Sequence, residues 1–86
     1  MAKKTIKVTN PSGLHARPAA EFTKIAAGLE CDVFLEKEGK KVNAKSILGL
    51  LTLAIGQGSE IDIICEGSGE EAGLDQLVEL VTNLEE

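Results

Sequence analysis

The residue best suited to chemistry is His15, the only histidine of the sequence, which is followed by Arg17. A neutral imidazole nitrogen is a nucleophile near physiological pH and can attack phosphorus. The Arg17 guanidinium can pair with phosphate oxygens. The two residues predict a site that accepts a phosphoryl group, holds it and releases it to the next acceptor. The alternative is that His15 is an ordinary polar surface residue or helix cap.

A helix must begin directly after His15 if the chain is to use it in this way. Residues 16–27 favour helix, Pro18 is compatible with the first turn, and Gly28 supplies a stop. The preceding residues 10–13, Asn-Pro-Ser-Gly, break a strand. The first turn of a helix presents unpaired N–H groups and the positive end of the helix dipole, which attract an anion. We therefore expect this helix to stabilise a phosphoryl group on His15.

The predicted helix has two unlike faces. The face expected to lie against the sheet consists of Pro18, Phe22, Ile25 and Ala26. The opposite face combines alanines with two cations, which suits docking against an acidic, apolar partner surface. We expect the partner to contact Ser12, Ala16, Arg17, Ala20, Lys24 and Ala27. The competing explanation is that alanine merely favours helix.

A second short helix is predicted from Ile47 to about Leu53, and it is apolar on nearly every side. A helix that packs on one side cannot bury all of its faces. We expect an exposed apolar patch for partner binding, formed by Ile47, Leu48 and Leu51. Complete burial under neighbouring loops is the alternative.

Ser46 stands at the predicted N-cap of that second helix, where plain capping is the simpler explanation of a serine. A phosphate on Ser46 would be tolerated by the helix N-terminus and would place negative charge beside the apolar patch. A partner with an acidic face would then bind less well, which makes Ser46 a candidate regulatory site.

The remaining pattern predicts strands over 5–9, 32–37, 40–44 and 60–66 and a third helix. A capping box at residues 68–71 begins that helix, and its apolar stripe consists of Leu74, Leu77, Val78, Val81 and Leu84. The order β-α-β-β-α-β-α predicts one α+β domain over residues 1–86. We expect a four-stranded antiparallel sheet covered on one face by three helices.

The composition and the absence of certain motifs restrict the classes of function that the chain can have. The formal charge of −5 argues against direct binding of nucleic acid. Cys31 and Cys65 have no metal-type spacing, so we expect two semi-buried thiols in a reducing compartment, with no metal and no cofactor. The absence of a signal core and of a membrane-length apolar run predicts a soluble, cytoplasmic protein without membrane insertion. We also expect a monomer. No nucleotide loop or substrate-pocket motif is present, which favours a carrier over an enzyme.

Two segments, residues 13–19 (Gly-Leu-His-Ala-Arg-Pro-Ala) and residues 43–49 (Asn-Ala-Lys-Ser-Ile-Leu-Gly), resemble those of HPr. HPr is the phosphocarrier of the bacterial phosphoenolpyruvate:sugar phosphotransferase system, and the resemblance spans essentially the whole chain. It implies an open-faced β-sandwich of four antiparallel strands covered by three helices. It also implies that His15 is phosphorylated at Nδ1 beside the family's arginine, Arg17, and that Ser46 is the regulatory serine of many Gram-positive members.

The resemblance implies partners as well. Enzyme I would donate the phosphoryl group and IIA domains of sugar permeases would accept it, while a serine kinase/phosphorylase and a catabolite regulator would act through Ser46. Segment 46–49 resembles the Gram-positive type, with Leu48 and Leu51 where methionine is common. A purely regulatory module is a competing hypothesis, but a regulatory paralogue lacks the histidine, so His15 argues against it. A nitrogen-linked branch uses the same chemistry and is separated only weakly, through the Ser46 region.

Overall fold

The sequence pattern produces four strands and three helices in the computed structural model, which describes residues 1–84. The strands are β1 (Ala2–Lys7), β2 (Asp32–Lys37), β3 (Lys40–Asn43) and β4 (Glu60–Glu66). The helices are α1 (Ala16–Ala27), α2 (Ile47–Thr52) and α3 (Glu70–Thr82). The predicted order β-α-β-β-α-β-α is confirmed.

The four strands form one sheet. Its strand order is β1-β4-β2-β3, and every neighbouring pair is antiparallel. The register sets Ile6 opposite Ile61 and Leu35 opposite Ile63, so that buried side chains meet across the strands. Helix α3 packs on β1 and β4, and α1 packs on α2 and α3. The predicted α+β fold, an open antiparallel sheet with three helices, is confirmed.

The inward face of α1 agrees with the prediction except at one residue. Pro18, Phe22 and Ala26 are buried, together with Ala19. Ile25 is only half-buried, because it packs against the core with one side and borders a crevice between α1 and α3 with the other. The stripe of α3 is also partly confirmed. Its buried members are Leu74, Leu77 and Val81, whereas Val78 is half-buried. Leu84 was predicted in the same stripe, but α3 ends at Thr82, so the half-buried Leu84 lies beyond the helix.

The first strand begins earlier than predicted, at Ala2, and ends at Lys7 instead of Thr9. Its antiparallel register runs from Ala2 opposite Cys65 to Lys7 opposite Glu60. The prediction missed this start because lysines interrupt the alternation, yet β1 is an edge strand, where lysine is well tolerated. Beyond Lys7, the Val8 backbone is bonded to the loop before β4.

The predicted capping box at residues 68–71 is wrong. The N-cap is Gly69, in a left-handed conformation with φ 72°, and no side chain caps the helix there, so Ser68 has no capping role. A different hydrogen bond precedes the helix, because the Gly67 N–H donates to Glu70 Oε1 at 3.0 Å, one residue before the predicted pair of Ser68 and Glu71. That hydrogen bond and the Met1 amine hold the pKa of the Glu70 carboxyl below its usual range.

Two other boundaries and the cysteines also differ from the prediction. Strand β3 ends at Asn43 because Ala44 enters a turn, and α2 ends at Thr52 with Leu53 as its C-cap. Cys31 and Cys65 are fully buried instead of semi-buried, because both lie in the core below the helices.

Candidate functional site

A tight turn leads into the candidate site. The Gly13 N–H donates to the Asn10 carbonyl at 3.1 Å, and Asn10 Nδ2 donates to the Gly13 carbonyl at 2.9 Å. Gly13 has a φ of +61°, and a Cβ at this position would lie 2.4 Å from the Ile55 carbonyl oxygen. The next residue, Leu14, is buried and donates its N–H to the same carbonyl at 3.0 Å. The chain that precedes His15 is therefore held from both sides.

His15 is the N-cap of α1. Its backbone is extended, with φ −83° and ψ −167°, and its carbonyl accepts the Ala19 N–H at 2.9 Å. The imidazole makes no capping hydrogen bond and is exposed. The ring is therefore accessible to a partner while the His15 backbone begins the helix.

The electrostatic environment of His15 favours an anion. The first turn of α1 contains no acidic residue, and Arg17 is exposed within it. The N–H groups of a first turn have no partner within the helix, and the dipole adds positive potential there. A phosphoryl group on the imidazole would thus be placed at the positive end of α1.

The predicted docking residues of α1 and of the preceding turn are all at the surface. The exposed residues are Ser12, Ala16, Arg17, Ala20, Lys24 and Ala27. Helix α2, which packs beside α1, exposes 74% of Leu48 and 39% of Leu51, whereas Ile47 is half-buried and Leu50 is buried. Complete burial of the second helix is therefore excluded. The structure brings the alanine-rich face and the apolar patch onto neighbouring helices.

Ser46 caps α2 as predicted. Its Oγ accepts the Gly49 N–H at 3.3 Å, and its carbonyl accepts the Leu50 N–H at 3.2 Å. The residue is exposed, so its hydroxyl can be reached by a modifying protein. Capping and accessibility are thus combined in one side chain.

The sequence analysis did not identify the residues that hold the turn before His15 and the end of α2 in place. Asn10 was treated only as part of a strand break, although asparagine before proline is typical of a side chain that bonds its own turn. Ile55 gave no signal, because its carbonyl acts through a contact distant in sequence. Lys37 was also missed: its Nζ donates to the carbonyls of Leu53 and Ala54, at 3.2 and 2.9 Å, and closes the end of α2.

Two kinds of feature are absent from the part of the chain that the structure describes. Within residues 1–84, no cluster of three or more histidine, cysteine, aspartate or glutamate residues is placed to hold a metal ion. No helix in that range is long and apolar enough to cross a membrane.

The fold and the exposed histidine at the start of its first helix are those of a histidine phosphocarrier. The pattern of the family described as "PTS HPr component phosphorylation site" matches residues 2–83. The chain therefore belongs to the HPr family of the phosphotransferase system, which includes phosphocarrier proteins.

Individual relatives agree with this assignment. The chain is 47% identical to the HPr-like protein Crh of Halalkalibacterium halodurans, covering 94% of this chain and 96% of that protein. It is 40% identical to the phosphocarrier protein HPr of Treponema pallidum, covering 96% and 94%. The crystal structure of HPr from Bacillus anthracis superposes with a TM-score of 0.89 at 49% identity, covering 93% and 95%.

One solved relative bears on the oligomeric state. Crh of Bacillus subtilis, 46% identical, forms a dimer with a swapping domain in its crystal and matches with a TM-score of 0.76, covering 95% and 94%. That dimer does not support the expectation of a monomer. The match to both Crh and HPr proteins also means that overall similarity does not separate a carrier from a regulator.

Proposed function

We propose that this protein accepts a phosphoryl group from enzyme I on His15 and passes it to IIA domains of sugar permeases. The observation that carries the proposal is the exposed His15 ring at the N-cap of α1, beside a first turn without acidic residues. In the first step, a bond forms between Nδ1 of His15 and phosphorus while the bond to the donor breaks. In the second step a nucleophile of the IIA domain forms a bond to the same phosphorus while the bond to Nδ1 breaks, which releases His15 as the free imidazole.

The residues around His15 stabilise the bound phosphoryl group and dock the partners. The N–H groups of the first turn and the Arg17 guanidinium stabilise the negative charge of the bound group. The outer faces of α1 and α2 dock each partner in turn. A carrier must leave quickly, so the interface is expected to be small and short-lived. The chain is a protein substrate in this scheme, and the role places it in the cytoplasm.

The direct test is incubation with phosphoenolpyruvate and enzyme I, followed by detection of an acid-labile, base-stable phosphate on the chain. We expect His15→Ala to abolish this phosphate. We expect Arg17→Glu to slow transfer while circular dichroism shows an unchanged fold. Sugar phosphorylation supported by His15→Ala, or a normal rate with Arg17→Glu, would contradict the assigned roles. Transfer to a IIA domain of a sugar permease distinguishes the sugar branch from the nitrogen branch.

Ser46 supports a second function in regulation. We propose that a serine kinase/phosphorylase modifies the exposed hydroxyl and that the modified form binds a catabolite regulator. The specific support is the position of Ser46 at the start of the helix that exposes Leu48. Ser46→Asp should slow phosphorylation by enzyme I, and Ser46→Ala should not. An unchanged rate with Ser46→Asp would leave Ser46 as a plain cap.

We propose the monomer as the form that carries phosphate. Strand β1 pairs with β4 of the same chain, and Val8 is fixed by hydrogen bonds to Gly58 and Ser59 at 2.7 and 2.8 Å. These contacts oppose release of the strand. Size-exclusion chromatography with light scattering at the assay concentration checks this. A dimer peak that carries the transfer activity would contradict it.

A further inference from the structure

Asn10 is the only polar residue that the structure buries within residues 1–84, with 3% of its surface exposed. Burying a carboxamide is unfavourable unless it forms hydrogen bonds. Asn10 forms two with Gly13, one through its side chain and one through its backbone. The two bonds close the turn at residues 10–13 from both of its ends. A surface loop can form without a buried amide. The burial of this one therefore indicates that the turn must keep a particular conformation.

The closed turn determines where the chain runs next. Gly13 packs against the loop after α2, where a Cβ would lie 2.4 Å from the Ile55 carbonyl oxygen and 2.6 Å from the Gly56 Cα. Leu14 then donates to that carbonyl, and His15 follows as the N-cap of α1. Only one residue separates Gly13 from His15. A shift of the turn would therefore move the backbone that carries the imidazole.

We propose that Asn10 is a positioning residue for phosphoryl transfer, because its buried carboxamide keeps closed the turn that sets the orientation of His15. This inference rests on the proposed function. Asn10 does not touch the phosphoryl group and is not expected to touch the partner. Transfer depends on alignment of the attacking nitrogen, and small misplacements of reacting groups cost large factors in rate. Docking depends on the outer faces of α1 and α2, and within the turn only the exposed Ser12 belongs to the expected docking surface.

Two variants separate positioning from stability. Asn10→Ala removes the carboxamide and leaves space in the loop. Asn10→Leu keeps the branched shape and the number of side-chain heavy atoms, carries no charge and cannot donate to Gly13, and apolar burial helps to keep it folded. Gln57→Ala is the matched control. It removes another side-chain amide that bonds a nearby carbonyl, that of Thr9 at 3.2 Å, but it leaves the turn intact.

The experiment measures kcat and KM of phosphorylated enzyme I with each variant as acceptor, at a temperature where circular dichroism shows the variant to be folded. We expect both Asn10 variants to lower kcat about fivefold or more and to keep KM within about twofold, whereas Gln57→Ala changes neither. Asn10→Leu at the wild-type kcat, an increase of KM alone, or an equal loss in Gln57→Ala would overturn the proposal. If neither Asn10 variant folds, the residue has no role separable from folding and the proposal also fails.

The proposed function fails in a different way. Wild-type protein that enzyme I does not phosphorylate, or His15→Ala that it does, would refute the carrier role itself. If the wild type is phosphorylated on His15 and Asn10→Leu is equally fast, only the positioning role is lost.

Discussion

The backbone N–H of Leu14 donates to the carbonyl of Ile55 at 3.0 Å, which ties the residue before His15 to the loop after α2. This hydrogen bond connects the chain segments that carry the two candidate sites, because Ser46 begins α2 and His15 begins α1. A Cβ at position 13 would lie 2.4 Å from the same Ile55 carbonyl oxygen, so this arrangement requires a glycine there.

Gly13→Ala tests that close contact. The substitution combines left-handed backbone strain with a Cβ 2.4 Å from a backbone oxygen, so we expect the free energy of unfolding to fall by about 3 kcal/mol. Urea denaturation measures the loss. Gly39→Ala is the control, since Gly39 has a φ of +84° with nothing near its Cβ position, and its loss should be only about 1 kcal/mol. Equal losses would show that the contact with Ile55 is unimportant.

Ser46 should reveal its capping role in stability measurements. Ser46→Ala removes the oxygen that accepts the Gly49 N–H, so we expect a loss of about 1 kcal/mol. Ser46→Asp keeps an acceptor and adds a negative charge that the helix N-terminus favours, so its stability should stay within about 0.5 kcal/mol of the wild type. Urea denaturation of both variants checks this. The prediction fails if the aspartate variant is as unstable as the alanine variant.

Two leucines of α2 should separate docking from folding. Leu48 is 74% exposed and Leu50 is 1% exposed. Leu48→Ala should change stability by less than about 0.5 kcal/mol and raise the KM of enzyme I for this protein. Leu50→Ala should cost about 3 kcal/mol of stability, because it leaves a cavity in the core. An unchanged KM for Leu48→Ala would remove Leu48 from the docking surface.

Local chemistry explains why much of the fold could be predicted. Pro18 and Gly28 are compatible only with particular positions of a helix, and α1 runs over the predicted residues. Alternation identified β2 and β4 with their observed ends. His15 could be placed at the helix start for the same local reason.

The sequence predictions were wrong or incomplete where other interactions outweigh the local preferences of the residues. Glycines at 67 and 69 adopt positive φ angles, and the second of them replaces Ser68 as the N-cap of α3. The support of His15 by Asn10 and Ile55 depends on tertiary packing, which brings the loop after α2 against the turn before α1. No periodicity in the sequence encodes such a contact.

The buried thiols provide a further test, which depends on pH. Burial, followed by the neighbouring Cys31 thiol, raises the pKa of Cys65 to about 12, compared with 9.0 for an ordinary cysteine. Between these values the folded state keeps the proton and the unfolded state loses it. Stability should therefore be unaffected by this group below about pH 9 and fall as the pH rises toward 12.

Cys65→Ala isolates this effect from the other groups that titrate in alkali, among them the Met1 amine, whose pKa is raised by Glu70. We expect the free energy of unfolding, measured in urea with a reducing agent, to fall less steeply above about pH 9 in Cys65→Ala than in the wild type. The alanine variant starts from a lower stability because it leaves a cavity, so the slopes with pH are compared and not the absolute values. Identical slopes would show that Cys65 ionises as readily in the folded protein as in the unfolded chain. That result would contradict the effect expected from its complete burial.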